Sequence, residues 1–405
     1  MNWDSFEMAF VPVTEGVQVI AHTTGQEVFS CVLKDSLLTV AIRYDFRPET
    51  PLRLTTRCAV GSEVCLRVMP WRIELYTDGA LQDEEWPCGR HFLEQAEIRN
   101  ADCSFSLREY IPEKAQEPAV LGSFENAGGW KPEENVFVGD CMPFCHEGVY
   151  HVLYLKDRRR HHSKWGLGAH QWNHISSPDL CHWQIHPTAV EIDDPAEGSI
   201  CTGSWIFADG MHYLFYTVRS CDGSPAMIRR SISRDGYHFE KDRCFSFTLS
   251  EKYTASSARD PKVIKGADGR YHMFLTTTLK EEGLGCLAHL VSDDLCIWHE
   301  LETPLYVAAK DMWEPECPDY FYKDGWYYLV ISLHGRAHYL YSRQPFSGWQ
   351  QPEDPIIPCE RVPKAAVWND RLIFTGFSSG GEYAGTMTFL EAEVCPDGQL
   401  RYKPL

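Results

Sequence analysis

The sequence predicts an all-β protein in which a five-bladed β-propeller follows a smaller N-terminal β-sandwich. Three observations carry that expectation. A turn followed by an aromatic, mostly apolar strand is written five times, as EGVYHVLYL (147–155), DGMHYLFYT (209–217), DGRYHMFLT (268–276), DGWYYLVIS (324–332) and NDRLIFTGF (369–377). The copies recur at spacings of 62, 59, 56 and 45 residues, a length that suits four-stranded blades. Ahead of them the chain alternates strand and turn, with no apolar stripe at helical period.

The first part, residues 1–115, reads VQVIAHT, EVFSCVL, LLTVAIRYDF, LRLTTRCAV, EVCLRVMPWRIELYTDG and CSFSLREYI between turn residues, the pattern of an antiparallel sandwich. Around 113–134 the composition shifts to Pro, Glu, Gly and Asn, so 116–135 reads as a linker. The repeat then fills 136–405. In four copies a second strand ends in Ser, a polar turn and an aromatic: SSPDLCHW (176–183), SRDGYHF (233–239), VSDDLCIW (291–298) and YSRQPFSGW (341–349).

The bulk figures narrow the function. At 405 residues, 44% hydrophobic and 23% charged, the chain is globular and long enough for a large repeat domain with a small companion. Thirteen Trp and nineteen Tyr suit flat sugar-binding faces as well as packing. A net charge of −19 argues against nucleic acid or an anionic membrane as partner. The start, MNWDSFEMAF, shows no secretory signal, and no apolar run reaches membrane-spanning length. The 16 cysteines lack CxxC or zinc spacing, so reduced thiols in a cytoplasm are expected.

Asp140, Asp260 and Glu316 fall 8, 9 and 9 residues before the turn glycines Gly148, Gly269 and Gly325. Equivalent places in units arranged around an axis point at one spot, so the three are expected to share a repeat phase and a site. Two carboxylates flanking a glycosidic bond are the equipment of sugar hydrolysis, one as proton donor and one as nucleophile or base. Asp140 lies among small and apolar residues, and Arg259 precedes Asp260 and can hold it ionised. Glu316 sits among Trp313, Pro315 and Cys317, an apolar setting that suits a proton donor. The expected roles are Asp140 nucleophile, Glu316 acid/base and Asp260 transition-state stabiliser. A lone Asp before a strand is otherwise a turn cap.

These residues carry a resemblance. GDCMPF, YHVLYL and KWGLGAHQWNHISSPDLCHW resemble the first blade of glycoside hydrolase family 32, the β-fructofuranosidases. EGSICTGSW (197–205) resembles that family's Gly-Cys-x-Ser-Gly-Ser element, Arg259-Asp260-Pro261 its Arg-Asp-Pro box, and Trp313 to Asp319 its Trp-Glu-Cys-Pro-Asp box. All fall in family order over about 136–395. The resemblance implies a five-bladed propeller and a retaining mechanism through a fructosyl-enzyme, with the three roles given above; no cofactor or catalytic metal is expected. It also implies a small carbohydrate substrate held by Trp165, Trp172, Ser204, Arg259 and Trp313. VCLRVMPWRIELYTDG resembles the sandwich that family members carry after the propeller, so the order here is swapped. The family's Asn-Asp-Pro-Asn-Gly box is Gly139-Asp140-Cys141-Met142-Pro143 in this chain, which keeps the nucleophile and loses its polar neighbours.

Other features are weaker. The run Asp157-Arg158-Arg159-Arg160-His161-His162 could meet a phosphorylated sugar or simply line a solvated loop. His170 and His174, four apart, read as structural histidines, since no third ligand accompanies them. Cys141, Cys201 and Cys317 read as small channel-lining residues. SSGGEYAG (378–385) reads as a turn. The leading expectation is a glycosidase on a small β-fructofuranoside. The alternatives are an inverting family-43-like furanosidase, a fructosyltransferase, or a non-catalytic sugar binder.

Overall fold

The structure, a computed structural model, describes residues 2–101, 104–112, 117–158, 170–220, 224–380 and 383–405. Among them the regular elements are strands, apart from single 3-10 turns at Leu93–Gln95 and Ala255–Ser257. No helix there is long and apolar enough to cross a membrane. Among the described residues the chain divides into two compact units, one built from residues up to Pro112 with the segment Ile192–Gly198, the other from 117–158, His170–Glu191 and Ser199–Leu405.

The first unit is two five-stranded antiparallel sheets. One runs Ser104–Glu109, Phe6–Val11, Val64–Met69, Arg72–Thr77, Ala80–Glu85, and the other Leu52–Arg57, Leu37–Ile42, Gln26–Lys34, Gly16–Thr23, Glu97–Asn100. Period-two alternation sends one face of each into a common core. Phe6, Met8, Val64 and Leu66 there meet Val19, Phe29, Val40 and Leu54. Outside that core, Glu7 is gripped by Arg67 and Arg108 from flanking strands, and these bonds outweigh its burial and lower its pKa. Cys88 is disulfide-bonded, so the expectation of reduced thiols throughout fails at this position.

The second unit holds five antiparallel sheets. Sheet I runs Gly122–Glu125, His182–Val190, Gln171–Ser177, Val149–Arg158, Val136–His146; sheet II runs Glu197–Ala208, Met211–Ser220, Met227–Ser233, Glu240–Lys241. Sheet III runs Arg259–Lys265, Tyr271–Leu279, Leu284–Ser292, His299–Glu300, and sheet IV runs Glu316–Lys323, Trp326–Leu333, Arg336–Ser342. Sheet V runs Arg361–Trp368, Arg371–Ser378, Thr386–Val394, Leu400–Lys403. The five repeated sequences are the second strands. The expected linker is partly structured, because Gly122–Glu125 adds an edge strand to sheet I. Phe124 stacks on Trp130 at 4.3 Å, and burying these rings outweighs the turn-rich composition around them.

The Ser-containing motifs form one local device three times. Asp179, Asp235 and Asp294 each accept two backbone N–H groups through Oδ1, from Cys181 and His182, Tyr237 and His238, and Cys296 and Ile297. Side chains then tie each sheet to the next. Trp172 Nε1 donates to Cys201 O at 3.0 Å between sheets I and II, and Ser204 Oγ donates to Pro261 O at 2.8 Å between II and III. Thr276 Oγ1 donates to Pro315 O at 2.8 Å between III and IV, and Ala365 N donates to Asp319 Oδ2 at 2.6 Å between IV and V. The fifth sheet returns to the first through the Val138–Gly385 bridge and the Tyr150–Thr375 hydroxyl pair at 2.7 Å.

Candidate active site

Strand register corrects the expected shared phase. In sheets I, III and IV the first strand carries a β-bulge, between Val138 and Cys141, Arg259 and Lys262, and Glu316 and Asp319. Aligned on the bulge, Glu316 matches Arg259 and Val138, Asp260 matches Gly139 and Cys317, and Asp140 matches Pro261 and Pro318. The acids therefore occupy three successive positions of the bulge. Counting from the glycine misleads because the strand beyond the bulge differs in length. It runs Cys141–His146, Lys262–Lys265 and Asp319–Lys323, and the turn after Lys265 is longer. A bulge kinks its strand and re-aims side chains. Asp260 and Cys317 adopt left-handed φ values of 58° and 50° there.

The three acids nonetheless belong to one contiguous network. Asp140 is buried, with Thr202 Oγ1 donating to its Oδ2 at 2.5 Å, Cys317 Sγ to the same oxygen at 3.4 Å, and Tyr383 Oη to Oδ1 at 3.1 Å. Cys317 N donates to Asp260 Oδ2 at 2.9 Å. Arg259 spans three carboxylates, at 2.6 Å from Glu314, 3.0 Å from Glu316 and 3.7 Å from Asp260. Burial opposes the charge of this guanidinium, but the three acids outweigh it and raise its pKa. Burial likewise pushes Glu314 up, yet Arg259 and the Thr278 hydroxyl hold it below the usual range. The neighbourhood of Glu316 is thus ionic, against the apolar setting read from its sequence neighbours.

The other expected site residues separate. Trp172 is fully buried, edge-on to Tyr216, and acts in packing rather than as a pocket wall. The Ser204 hydroxyl, besides donating to Pro261, accepts Val263 N at 2.9 Å, which makes it a tie between sheets. Trp313 is 53% exposed. Trp165, Arg159, Arg160, His161 and His162 lie outside the described residues. Arg158 is buried and bonds Asn135 at 3.0 Å. His170 lies 3.8 Å from Asp157, whereas His174 bonds His151 at 3.0 Å, so the pair does not converge. Burial raises the Cys141 and Cys317 thiols well above their usual value, which disfavours a thiolate nucleophile.

Sequence reasoning missed Thr202, Glu314, Lys364 and Tyr383. Glu314 was visible as a second acid two residues before Glu316, in the segment that leads into its strand, while Tyr383 sat in a stretch read only as a turn. Sheet V has its own bulge between Arg361 and Lys364, and just past it the buried Lys364 donates to Gly203 O at 3.2 Å and Pro318 O at 3.0 Å, while Lys262 pairs with Asp319 at 2.5 Å. Burial lowers the Lys364 pKa. On the turn side of this layer a cavity of about 460 Å³ is lined by Met142–His146, Gly203–Phe207, Lys262–Lys265 and Lys364–Val367, and none of the three acids reaches it.

The family model for the glycosyl hydrolases family 32 N-terminal domain matches residues 131–352, more than half of the chain and all three acids. The chain belongs to glycosyl hydrolase family 32. Among curated relatives, the raffinose invertase of Escherichia coli is 29% identical over 196 residues, 46% of this chain and 39% of that protein. The sucrose-6-phosphate hydrolase of Bacillus subtilis (strain 168) is 32% identical over 205 residues, 47% of this chain and 40% of that protein. The match thus spans about two fifths of each relative. In fold the chain is similar to fructan 1-exohydrolase IIa from Cichorium intybus, with TM-score 0.56, 17% identity, and coverage of 68% of this chain and 60% of that one. Inulosucrase from Halalkalicoccus jeotgali gives TM-score 0.55 at 14% identity, covering 70% and 93%. The family 32 match ends before sheet V, which supplies Lys364 and Tyr383.

Proposed function

We propose that this chain is a retaining glycosidase acting on a small β-fructofuranoside, such as sucrose or a short fructo-oligosaccharide. The reading extends to a five-bladed propeller, with sheets I to V as blades over 136–405, and to a β-sandwich over 1–115. The cyclic ties from sheet I round to sheet V and back support the first, and the single core of two sheets supports the second.

The supporting observation for the chemistry is the contrast between the acids. Asp140 is buried and ringed by three donors, the arrangement of a fixed carboxylate, while the Glu316 side chain keeps 17% exposure beside Arg259. In this reading Glu316 gives its proton to the leaving oxygen as an Asp140 oxygen bonds the anomeric carbon and the glycosidic bond breaks. Asp260 grips ring hydroxyls as charge develops. Water then attacks that carbon, yields a proton to Glu316 and releases Asp140.

A hydrolysis screen against sucrose, its 6-phosphate, inulin oligomers, levan oligomers and aryl arabinofuranosides tests the substrate. Turnover of fructosides with proton NMR showing the retained anomer supports the proposal. An inverted product, or turnover of arabinofuranosides alone, sinks it in favour of family-43-like chemistry. Glu316→Ala is expected to bind substrate without turning it over.

A further inference from the structure

The loop between the second and third strands of sheet V carries one side chain into the network around Asp140. Tyr383 is held there by backbone. Two residues on, Gly385 exchanges bonds with Val138 in sheet I, Val138 N to Gly385 O at 2.9 Å and Gly385 N to Val138 O at 2.8 Å. The ring packs edge-on against Phe377 at 5.5 Å and tilted against His170 at 5.2 Å. Its hydroxyl donates to Asp140 Oδ1 at 3.1 Å, and the Asp140 backbone N–H points back to it at 3.4 Å. Thr202 from sheet II holds the other carboxylate oxygen. Both oxygens of Asp140 are therefore fixed from different sheets.

Gly139 makes room for this contact. A Cβ at 139 would lie 2.5 Å from Tyr383 Oη, 3.0 Å from its Cζ and 3.2 Å from Leu155 Cβ. Gly139 is not among the positive-φ glycines, so close approach rather than backbone strain calls for glycine here. The box that this stretch resembles carries asparagine at that place, and this chain fills the space with a phenol from the far end of the sequence. Burial first, and then the Asp140 charge, raise the phenol pKa well above its usual value, so it stays a neutral donor at working pH.

We propose that Tyr383 is a positioning residue that aims the Asp140 carboxylate at the anomeric carbon and stabilises it as the leaving group of the second step. This rests on the reading of Asp140 as nucleophile. The hydroxyl bonds the carboxylate more strongly when it is anionic than when it is esterified to sugar, so it favours release of the covalent intermediate.

Tyr383→Phe removes the hydroxyl alone. With sucrose as probe, kcat is expected to fall roughly 10–100-fold, the usual effect of losing one hydrogen bond to a charged group, with KM within about threefold. The fructosyl-enzyme is expected to accumulate in rapid-quench samples, because an Asp140 carboxylate without this donor leaves the sugar more slowly. Gly139→Ala, which displaces the phenol, is expected to reproduce both changes and to add little in the double variant. A merely structural tyrosine would alter Tm and leave no covalent intermediate accumulated. Parent-like kcat with no accumulated intermediate in Tyr383→Phe overturns the proposal while Asp140→Ala is inactive. Parent-like turnover by Asp140→Ala overturns the nucleophile assignment instead.

Discussion

Acidification from pH 7 to pH 5 is expected to destabilise this protein steeply, through histidines buried without charge. His151, His212 and His289 are about 4–5% exposed, and burial lowers their pKa values to about 3, about 4 and about 3. His174, fully buried, shifts the same way. Around the first cluster the facing groups are His146, His186, Trp205, Tyr237 and Asp235, and only the last favours protonation. Around His289 they are His272, Arg270 and Asp268. In the unfolded chain each imidazole takes a proton near pH 6.5, whereas in the folded chain it waits until the pH is well below 5. The unfolded state therefore binds more protons across that window, and stability falls as pH drops through it. At pH 5 each such histidine costs roughly 2 kcal/mol, from 1.36 kcal/mol per pKa unit over about 1.5 units. Three come to roughly 6 kcal/mol, comparable with the whole stability of many domains. His182 and His238, paired with Asp179 and Asp235, shift upward and act in the opposite sense, but they lie at the surface, where solvent screens them. Urea unfolding at pH 7, 6 and 5 checks this, and His289→Gln is expected to flatten the pH slope by about one proton. Equal unfolding free energies at pH 7 and pH 5 would refute the reasoning.

Thr202→Val keeps the shape and removes the donor to Asp140 Oδ2, so kcat is expected to fall roughly tenfold or more with the fold intact by circular dichroism. Arg259→Met leaves Glu314, Glu316 and Asp260 without their shared cation, and a loss of about 3–5 kcal/mol in urea unfolding is expected, together with loss of turnover. Lys364→Met strips the donor from Gly203 O and Pro318 O, two carbonyls on different sheets, and Tm is expected to drop by several degrees. Trp313→Ala changes an exposed ring, so stability is expected to stay within about 0.5 kcal/mol. A raised KM at constant kcat would then mark Trp313 as a rim contact.

Local pattern determined much of this protein. Period-two alternation within short runs, closed by Asp-Gly turns, specified strands, and their fivefold recurrence gave a common plan for five sheets. The Ser-to-Asp motifs dictated their own turns, because the Asp oxygens and the N–H groups they accept lie within three residues. The boxes around Asp140, Asp260 and Glu316 were legible because each is contiguous in the chain. Tertiary structure decided what contiguity cannot carry. The phase of the acids depends on bulges and on strand lengths beyond them, which a count along the chain does not register. Glu316 gained an ionic setting because Arg259 reaches it across two sheets. Ser204 and Trp172 became ties and packing because neighbouring strands took up their polar atoms. Tyr383 met Asp140 across 243 residues of sequence only because the last sheet returns to the first. Hydrogen bonds and Coulomb forces act over a few ångströms of space, so side chains far apart in sequence acquire their roles only when the sheets have closed on one another.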